Sequence, residues 1–335
     1  MLLSQGYKKE YLLDLFTKFE GKYKKIPTRR EMTGEYGVRE DSFCRNFGSW
    51  EEAKIAYKAT KVAANSILTL DTYLDEDQLF GSMVGAEQAQ EDITNVFSKI
   101  NNFKILALSD IELPYANLKM INAAVIKAQE EGATVCVLNG DITHSDFFSK
   151  HAKHTYISPQ EEYSQLEQLI AWLSTKFAAV VLVSGNHDRM VRRFCQRAIP
   201  QYESMQFLVK DDLLEIVSAK YENVFYAKNW WAKIKDVIYM HPDSFTVLPM
   251  RTPIGAAKIV QKLGVDAAAW VQGHTHKVGE YTEGNHVYYE TGCSCLPQDY
   301  YMSRGSIRWE NAYNIIDIKD GKFNYNESRN YKWSN

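Results

Sequence analysis

Five times in this chain a short apolar run ends in a segment of Asp, Glu, Asn or His. Lys104–Ser109 leads into Asp110-Ile111-Glu112, Thr134–Asn139 into Gly140-Asp141, and Val180–Ser184 into Gly185-Asn186-His187-Asp188. Val237–Met240 is followed by His241, and Ala267–Gln272 by Gly273-His274-Thr275-His276. Near-continuous apolar runs of this length predict strands of a sheet covered on both faces, whose ligands bind outside the carboxyl ends of the strands. Side chains from five distant stretches would then meet in one small volume. Five of the eight histidines (His144, His187, His241, His274 and His276) lie in or beside these segments, which scattered turn residues would not explain. Carboxylate, amide and imidazole donors in this number suit two divalent cations, and the pattern predicts a binuclear metal-dependent hydrolase.

A length of 335 residues exceeds what one hydrophobic core usually serves and predicts more than one domain. No apolar stretch approaches the roughly 20 residues of a membrane helix. The first ten residues lack a basic region followed by an apolar one, so no secretory signal is expected there. Five cysteines without an export signal predict reduced thiols and a cytoplasmic setting. Cys293-x-Cys295 lies near the expected site but lacks a second Cys pair, and a structural role is the preferred reading. The net charge of −3 conceals an asymmetry: residues 1–62 carry 13 Lys and Arg against 9 Asp and Glu, the rest 26 against 33. A basic head on an acidic body hints at a polyanion-binding appendage.

In that head, Tyr11, Leu12, Leu13, Leu15, Phe16 and Phe19 make an apolar helical face, with Gly21 as the expected stop. Thr28 and Glu31 have capping-box spacing, so a second helix begins there and breaks at Gly34 and Gly37. A third helix is expected from about Glu40 to Phe47. Ser49, with Glu52 three residues on, caps a fourth. Short helices joined by tight turns predict a helix-turn-helix-like unit over residues 1–62. Residues 63–102 read as a partly helical linker, acidic around Asp71–Asp77 and interrupted at Gly81 and Gly85, and 103–335 as the catalytic domain.

The order Asp, Gly-Asp, Gly-Asn-His-Asp, His, Gly-His-x-His resembles the calcineurin-like metallophosphoesterases over about residues 104–292. The resemblance implies an α/β fold, a four-layer α/β/β/α sandwich with metals at the strand ends. The head, through Pro27-Thr28-Arg29-Arg30-Glu31 and Phe47-Gly48-Ser49-Trp50-Glu51-Glu52-Ala53, resembles the homing-endonuclease-associated repeat, a module of phage and mobile-element nucleases thought to contact DNA. Arg29, Arg30, Arg39 and Arg45 are then candidates for phosphate contacts.

Carried over residue by residue, the family pattern implies that Asp141 bridges two divalent ions. Asp110, Asp141 and His276 would hold one, and Asp141, Asn186, His241 and His274 the other. His187 would contact the substrate phosphate and act as general acid while a metal-activated hydroxide attacks phosphorus in line. Where most members have Asp-x-His, this chain has Asp110-Ile111-Glu112. Glu112 either ligates the metal directly, reaches it through water, or leaves a weakened site; ligation, direct or through water, is the preferred reading. It favours Mn²⁺, with Mg²⁺, Fe²⁺ or Zn²⁺ as other occupants. His144, three residues beyond the bridging Asp, resembles the recombination-repair exonuclease branch and would position a phosphodiester beside His187, or else serve only to support its neighbours. Arg189, Arg192 and Arg193 sit on an expected helix, touching the substrate backbone or simply solvated. Tyr300-Tyr301 and Arg304-Gly305 offer stacking surfaces for bases or, preferably, core packing. His151 and His154 read as surface residues. The leading expectation is a DNA phosphodiesterase of a phage or mobile element, acting in the host cytoplasm. The alternatives are a phosphomonoesterase or small-nucleotide phosphodiesterase, or a degenerate DNA-binding protein.

Overall fold

The computed structural model describes residues 7–57, 76–148, 157–199, 212–244, 246, 248–297 and 309–334. The chain divides into two compact units, Met1–Ser82 and Met83–Asn335. His151, His154, the Tyr300–Gly305 segment and residues 63–75 of the expected linker lie outside the described residues.

The first unit holds α1 (Lys9–Tyr23), α2 (Arg29–Tyr36), α3 (Glu40–Phe47) and α4 (residues 50–57). Thr28 caps α2: its hydroxyl accepts from Glu31 N while the Glu31 carboxylate accepts from Thr28 N at 2.8 Å, which satisfies two otherwise orphaned donors. Ser49 Oγ accepts from Glu52 N at 3.1 Å and starts α4 in the same way. Two expected breaks are corrected. Gly21 does not stop α1, which continues to Tyr23 and ends where Lys24 turns left-handed; Gly34 lies inside α2, which ends at Gly37. Phe16 is the hub of the core, its ring centroid 5.5, 5.3 and 5.1 Å from those of Phe43, Trp50 and Tyr57. Leu12, Leu15, Met32, Val38 and Ala53 close around it.

Helix α5 spans Glu76–Ser98 and runs through both Gly81 and Gly85, contrary to the expected interruption. Each glycine costs about 1 kcal/mol relative to alanine in a helix. The burial of Ala89, Ile93 and Phe97 offsets that, as does a reciprocal pairing of the Gln90 amide with the Lys233 backbone at 2.9 and 2.8 Å.

The second unit continues with β1 (Phe103–Leu108), α6 (Leu118–Glu130), β2 (Ala133–Asn139), α7 (Pro159–Lys176), β3 (Ala179–Val183), α8 (Met190–Ala198), α9 (Leu213–Ser218) and β4 (Val224–Tyr226). After β5 (Trp231–Ile234) and β6 (Val237–Met240) come α10 (Arg251–Lys262), β7 (Ala269–Gln272), β8 (Val278–Glu283), β9 (His286–Thr291), β10 (Ala312–Lys319), β11 (Lys322–Phe323) and β12 (Arg329–Lys332). One sheet runs β11-β10-β1-β2-β3-β4 with β12 on β10, the other β5-β6-β7-β9-β8.

Alternation of side chains along each strand explains the layers. Ile105, Ala107, Val135, Val137, Val181 and Val183 face Val237, Tyr239, Ala269, Val271 and Tyr289 between the sheets. The intervening residues Leu106, Leu108, Leu138, Val180 and Leu182 pack on α6, α7 and α9. On the far side, Ile238, Met240 and Trp270 pack on Ala256, Ala257 and Val260 of α10. The result is a four-layer α/β/β/α sandwich. Parallel β1, β2 and β3 end level, with Leu108, Leu138 and Leu182 in register, as do Met240 and Gln272 of parallel β6 and β7. The segments that leave these strands emerge along one edge of each sheet.

Candidate active site

Those segments meet. Asp110, Glu112 and His276 place a ligand atom each within 4.8 Å of one another, and so do Asp141, His241 and His274. Asp110, Glu112 and Asp141 are 0, 1 and 2% exposed. His276 Nε2 lies 3.1 Å from both Asp110 Oδ1 and Glu112 Oε1. His241 Nε2 lies 3.1 Å from Asp141 Oδ2 and 3.8 Å from Asp110 Oδ1, joining the two groups.

The backbone reaches this geometry under strain. Asp110, Glu112, Asp141, His274 and His276 all have positive φ, from 48° to 83°, a region that costs non-glycine residues of order 1–3 kcal/mol each. The two histidines of Gly-His-Thr-His both lie on this left-handed backbone, and they join two neighbouring donor groups, His276 with Asp110 and Glu112 and His274 with Asp141 and His241. Gly140 and Gly185 are demanded by close approach. A Cβ at Gly140 would stand 2.2 Å from His241 Cγ, and one at Gly185 would stand 2.1 Å from Asp141 N.

Outer hydrogen bonds fix each donor. His241 Nδ1 donates to Asn139 O at 2.8 Å, which turns the Nε2 lone pair inward. Asp141 Oδ1 accepts from His187 N at 2.8 Å, leaving Oδ2 for the centre. The Asp110 carboxylate accepts from His274 N at 2.9 Å. Asp188 accepts from the Ile142, Thr143 and Gly185 amides and so ties the Gly-Asp loop to the Gly-Asn-His-Asp loop. Glu162 of α7 accepts from Ser145 N at 2.6 Å. Neither Asp188 nor Glu162 was expected to take part. Asp188 is the last residue of a recognised motif, but nothing in the sequence links Glu162 to Ser145.

The electrostatics call for cations. Burial would raise the Glu112 pKa, yet His144 and His276 hold it well below the usual carboxylate range. Burial likewise opposes the charge on Asp141, and His241 and His187 override it downward. Burial disfavours a charged His241, but Asp141 and Asp110 lift its pKa to about 9. Partial burial and the neighbouring His241 lower the pKa of His274 to about 4. Protons on imidazoles here compensate buried carboxylates, the task a divalent ion performs more fully. Asn186 Oδ1 is buried with no hydrogen-bond partner, as a neutral oxygen ligand would be. This donor set fits divalent metal: Asp110, Glu112 and His276 would hold one ion, Asp141, Asn186, His241 and His274 the other.

Beside the donors stand two further histidines. His187 Nδ1 donates to the His144 carbonyl at 2.8 Å, and its Nε2 lies 4.0 Å from Asp141 Oδ2. His144 Nδ1 donates to Glu112 Oε2 at 2.9 Å and its Nε2 faces Asp146 Oδ1 at 3.4 Å. Against the effect of burial, these carboxylates raise the His144 pKa to about 10. The rings of His144 and His187 are 4.8 Å apart, and Tyr115 meets His144 edge-on at 5.1 Å.

The candidate substrate-binding arginines fall in separate places. Arg29, ion-paired with Glu40 at 2.7 Å, and Arg30 belong to the helical unit. Arg192 and Arg193 lie on α8, where Arg193, with Arg189, is engaged by Asp243. Next to them are aromatic residues with no expected role: Phe148 packs against Phe194 at 5.3 Å, and Phe147 and Phe194 are exposed. A Phe-Phe pair directly after the His144 loop, and a phenylalanine among arginines, were the available signals.

The chain matches the calcineurin-like phosphoesterase family over residues 103–278 and belongs to it. It is thus a metal-dependent phosphoesterase, of a family that uses divalent metal ions. Among solved structures it is similar to vacuolar protein sorting 29 from Cryptosporidium parvum, at 14% identity over 70% of this chain and 100% of that one, TM-score 0.37. It is also similar to an archaeal phosphodiesterase, at 16% identity over 69% and 100%, TM-score 0.39. A metallophosphoesterase from Sphaerobacter thermophilus is 15% identical over 70% and 89%, TM-score 0.36. No curated protein matches the chain. Among the described residues no helix is long and apolar enough to cross a membrane.

Proposed function

We propose that the chain is a DNA phosphodiesterase, with the metal centre as its hydrolytic site and the helical unit as a DNA-binding head. The observation that carries this reading is the pairing of His144 with His187 beside the donors, flanked by exposed phenylalanines and an arginine-rich helix. Phosphate contacts from arginines position a nucleic-acid backbone, and exposed rings stack on unpaired bases. Helix α8 and its cap residue Arg189 contain four arginines and no acidic residue.

Bound divalent ions would supply a nucleophilic oxygen at neutral pH and neutralise charge on the reacting phosphate. The protein's own part is positional. With Nδ1 committed to the His144 carbonyl, His187 offers Nε2 to the leaving oxygen and delivers a proton there. His144, both of its ring nitrogens engaged by Glu112 and Asp146, acts through its backbone carbonyl, which holds His187 beside the scissile phosphodiester. Glu112 makes the first donor set rich in oxygen, which favours Mn²⁺. The likeness of the head to the homing-endonuclease-associated repeat supports Arg29, Arg30, Arg39 and Arg45 as backbone contacts.

The test is cleavage of labelled single- and double-stranded DNA with Mn²⁺, compared with a chromogenic phosphomonoester. DNA should be cut, His187→Ala should lose about 10³-fold in rate, and Arg29→Glu with Arg30→Glu should weaken DNA binding. Intact DNA beside rapid monoester hydrolysis would replace this reading with a phosphomonoesterase.

A further inference from the structure

We infer that Cys293, Cys295 and His276 form a second kind of metal site, one for a thiophilic divalent cation such as Zn²⁺ or Cd²⁺, which competes with the oxygen-rich site for one imidazole. A ligand atom from each of these residues lies within 4.8 Å of the other two. Zinc–sulfur and zinc–nitrogen bonds place tetrahedral donors roughly 3.8 Å apart, so small side-chain adjustments close the set around an ion. All three residues are buried, and both thiols are free. Hydrolysis as derived above uses neither.

The local backbone explains why two thiols look the same way. Cys293 and Cys295 flank Ser294, where the chain bends, and both sulfur atoms come within 4.8 Å of each other and of a His276 ring nitrogen. Each forms an isolated β-bridge, Cys293 with Asn311 and Cys295 with Ala116. Ser294 N donates to Ser109 O at 2.8 Å, fastening the segment to the end of β1, just before Asp110. Cys293 N donates to Glu310 O at 2.9 Å, and Asn311 Nδ2 to Cys295 O at 2.7 Å. The donors are therefore held in place before any ion arrives.

Ligand softness divides the neighbouring groups. Carboxylates suit Mn²⁺ and Mg²⁺, whereas thiolates select Zn²⁺ and its heavier relatives. His276 belongs to both sets. An ion taken by the thiols draws that imidazole from Asp110 and Glu112, and the two thiol protons pass to solvent as the sulfur–metal bonds form. Zinc or cadmium would thus displace the hard cation beside it.

The experiment adds Cd²⁺ to full-length protein loaded with Mn²⁺. We expect a thiolate-to-cadmium charge-transfer band in the ultraviolet, saturating with a single Cd²⁺ per chain while one Mn²⁺ is released, as read by magnetic resonance of the free ion. In Cys293→Ser with Cys295→Ser the band should vanish. Half-displacement should then need at least about 100-fold more Cd²⁺, since even outer partners of metal ligands are worth roughly 10–100-fold in affinity. X-ray absorption at the cadmium edge needs no variant: two sulfur neighbours support the site, and oxygen and nitrogen neighbours alone overturn it. A band that persists in the folded double variant assigns the ion to Cys44, Cys136 or Cys195 and also overturns it. Cadmium bound by two sulfurs with Mn²⁺ fully retained would overturn the competition. None of these readouts involves a substrate, so failure of the DNA reading leaves them unaffected.

Discussion

Charges in the helical unit and in the sandwich are balanced differently. In the head, Lys22 meets Glu35 at 2.7 Å and Lys18 meets Asp14 at 2.8 Å, each lysine 60% exposed, so that solvent and partner together satisfy the charge. In the sandwich, Asp110, Glu112 and Asp141 lie out of solvent and meet the imidazoles of His144, His241 and His276. Exposed pairs of the first kind contribute about 0–1 kcal/mol. Buried carboxylates gathered on strained backbone are costly unless strong positive charge is supplied. The contrast teaches that these exposed pairs of the head are satisfied by each other and by solvent, whereas the buried carboxylates of the sandwich call for cations from outside.

The largest effect should follow from Asp141→Ala. Losing about 5 kcal/mol of metal-mediated charge stabilisation corresponds to roughly 5,000-fold in kcat, and bound metal should fall with it. A variant that kept full metal content and rate would erase the contrast. Chelation should come next. Saturating metal at 100 times its dissociation constant stabilises by about 2.7 kcal/mol. Amide hydrogen exchange after chelation should quicken in the loops around Asp110, Asp141 and Gly185–Asp188 and stay unchanged in α1–α4.

Acidity sharpens the comparison further. A raised His241 pKa stabilises the metal-free fold fully below its ordinary value of 6.5, and that contribution is lost as pH rises through about 9. Nε2 must shed its proton to bind metal, so Mn²⁺ affinity should rise by up to about tenfold per pH unit between these values and then level off. Isothermal titration across that range would show it; a flat profile would separate His241 from the metal. The smallest effect belongs to the head. Thr28→Ala removes half a capping box and should cost about 1 kcal/mol in chemical denaturation, without altering metal content.

Much of this was legible in the sequence because the signals were local. The apolar runs before Asp110, Gly140, Gly185, His241 and Gly273 became β1, β2, β3, β6 and β7 with ends shifted by two residues at most, since buried strands declare themselves by composition. Thr28 and Ser49 announced their helices through caps that span three residues. Tertiary contacts were harder to foresee. Helix α5 crosses two glycines because Ile93 and Phe97 are buried in the sandwich, a gain no local propensity records. The capture of Ser145 by Glu162, and of Arg189 and Arg193 by Asp243, depends on loops and helices far apart in the chain.

The most direct test is a count of tightly bound Mn²⁺ on folded, gel-filtered protein at saturation, by elemental analysis. Two ions per chain are expected, falling to one or none in Asp141→Ala. Fewer than one in the wild-type chain would contradict the account.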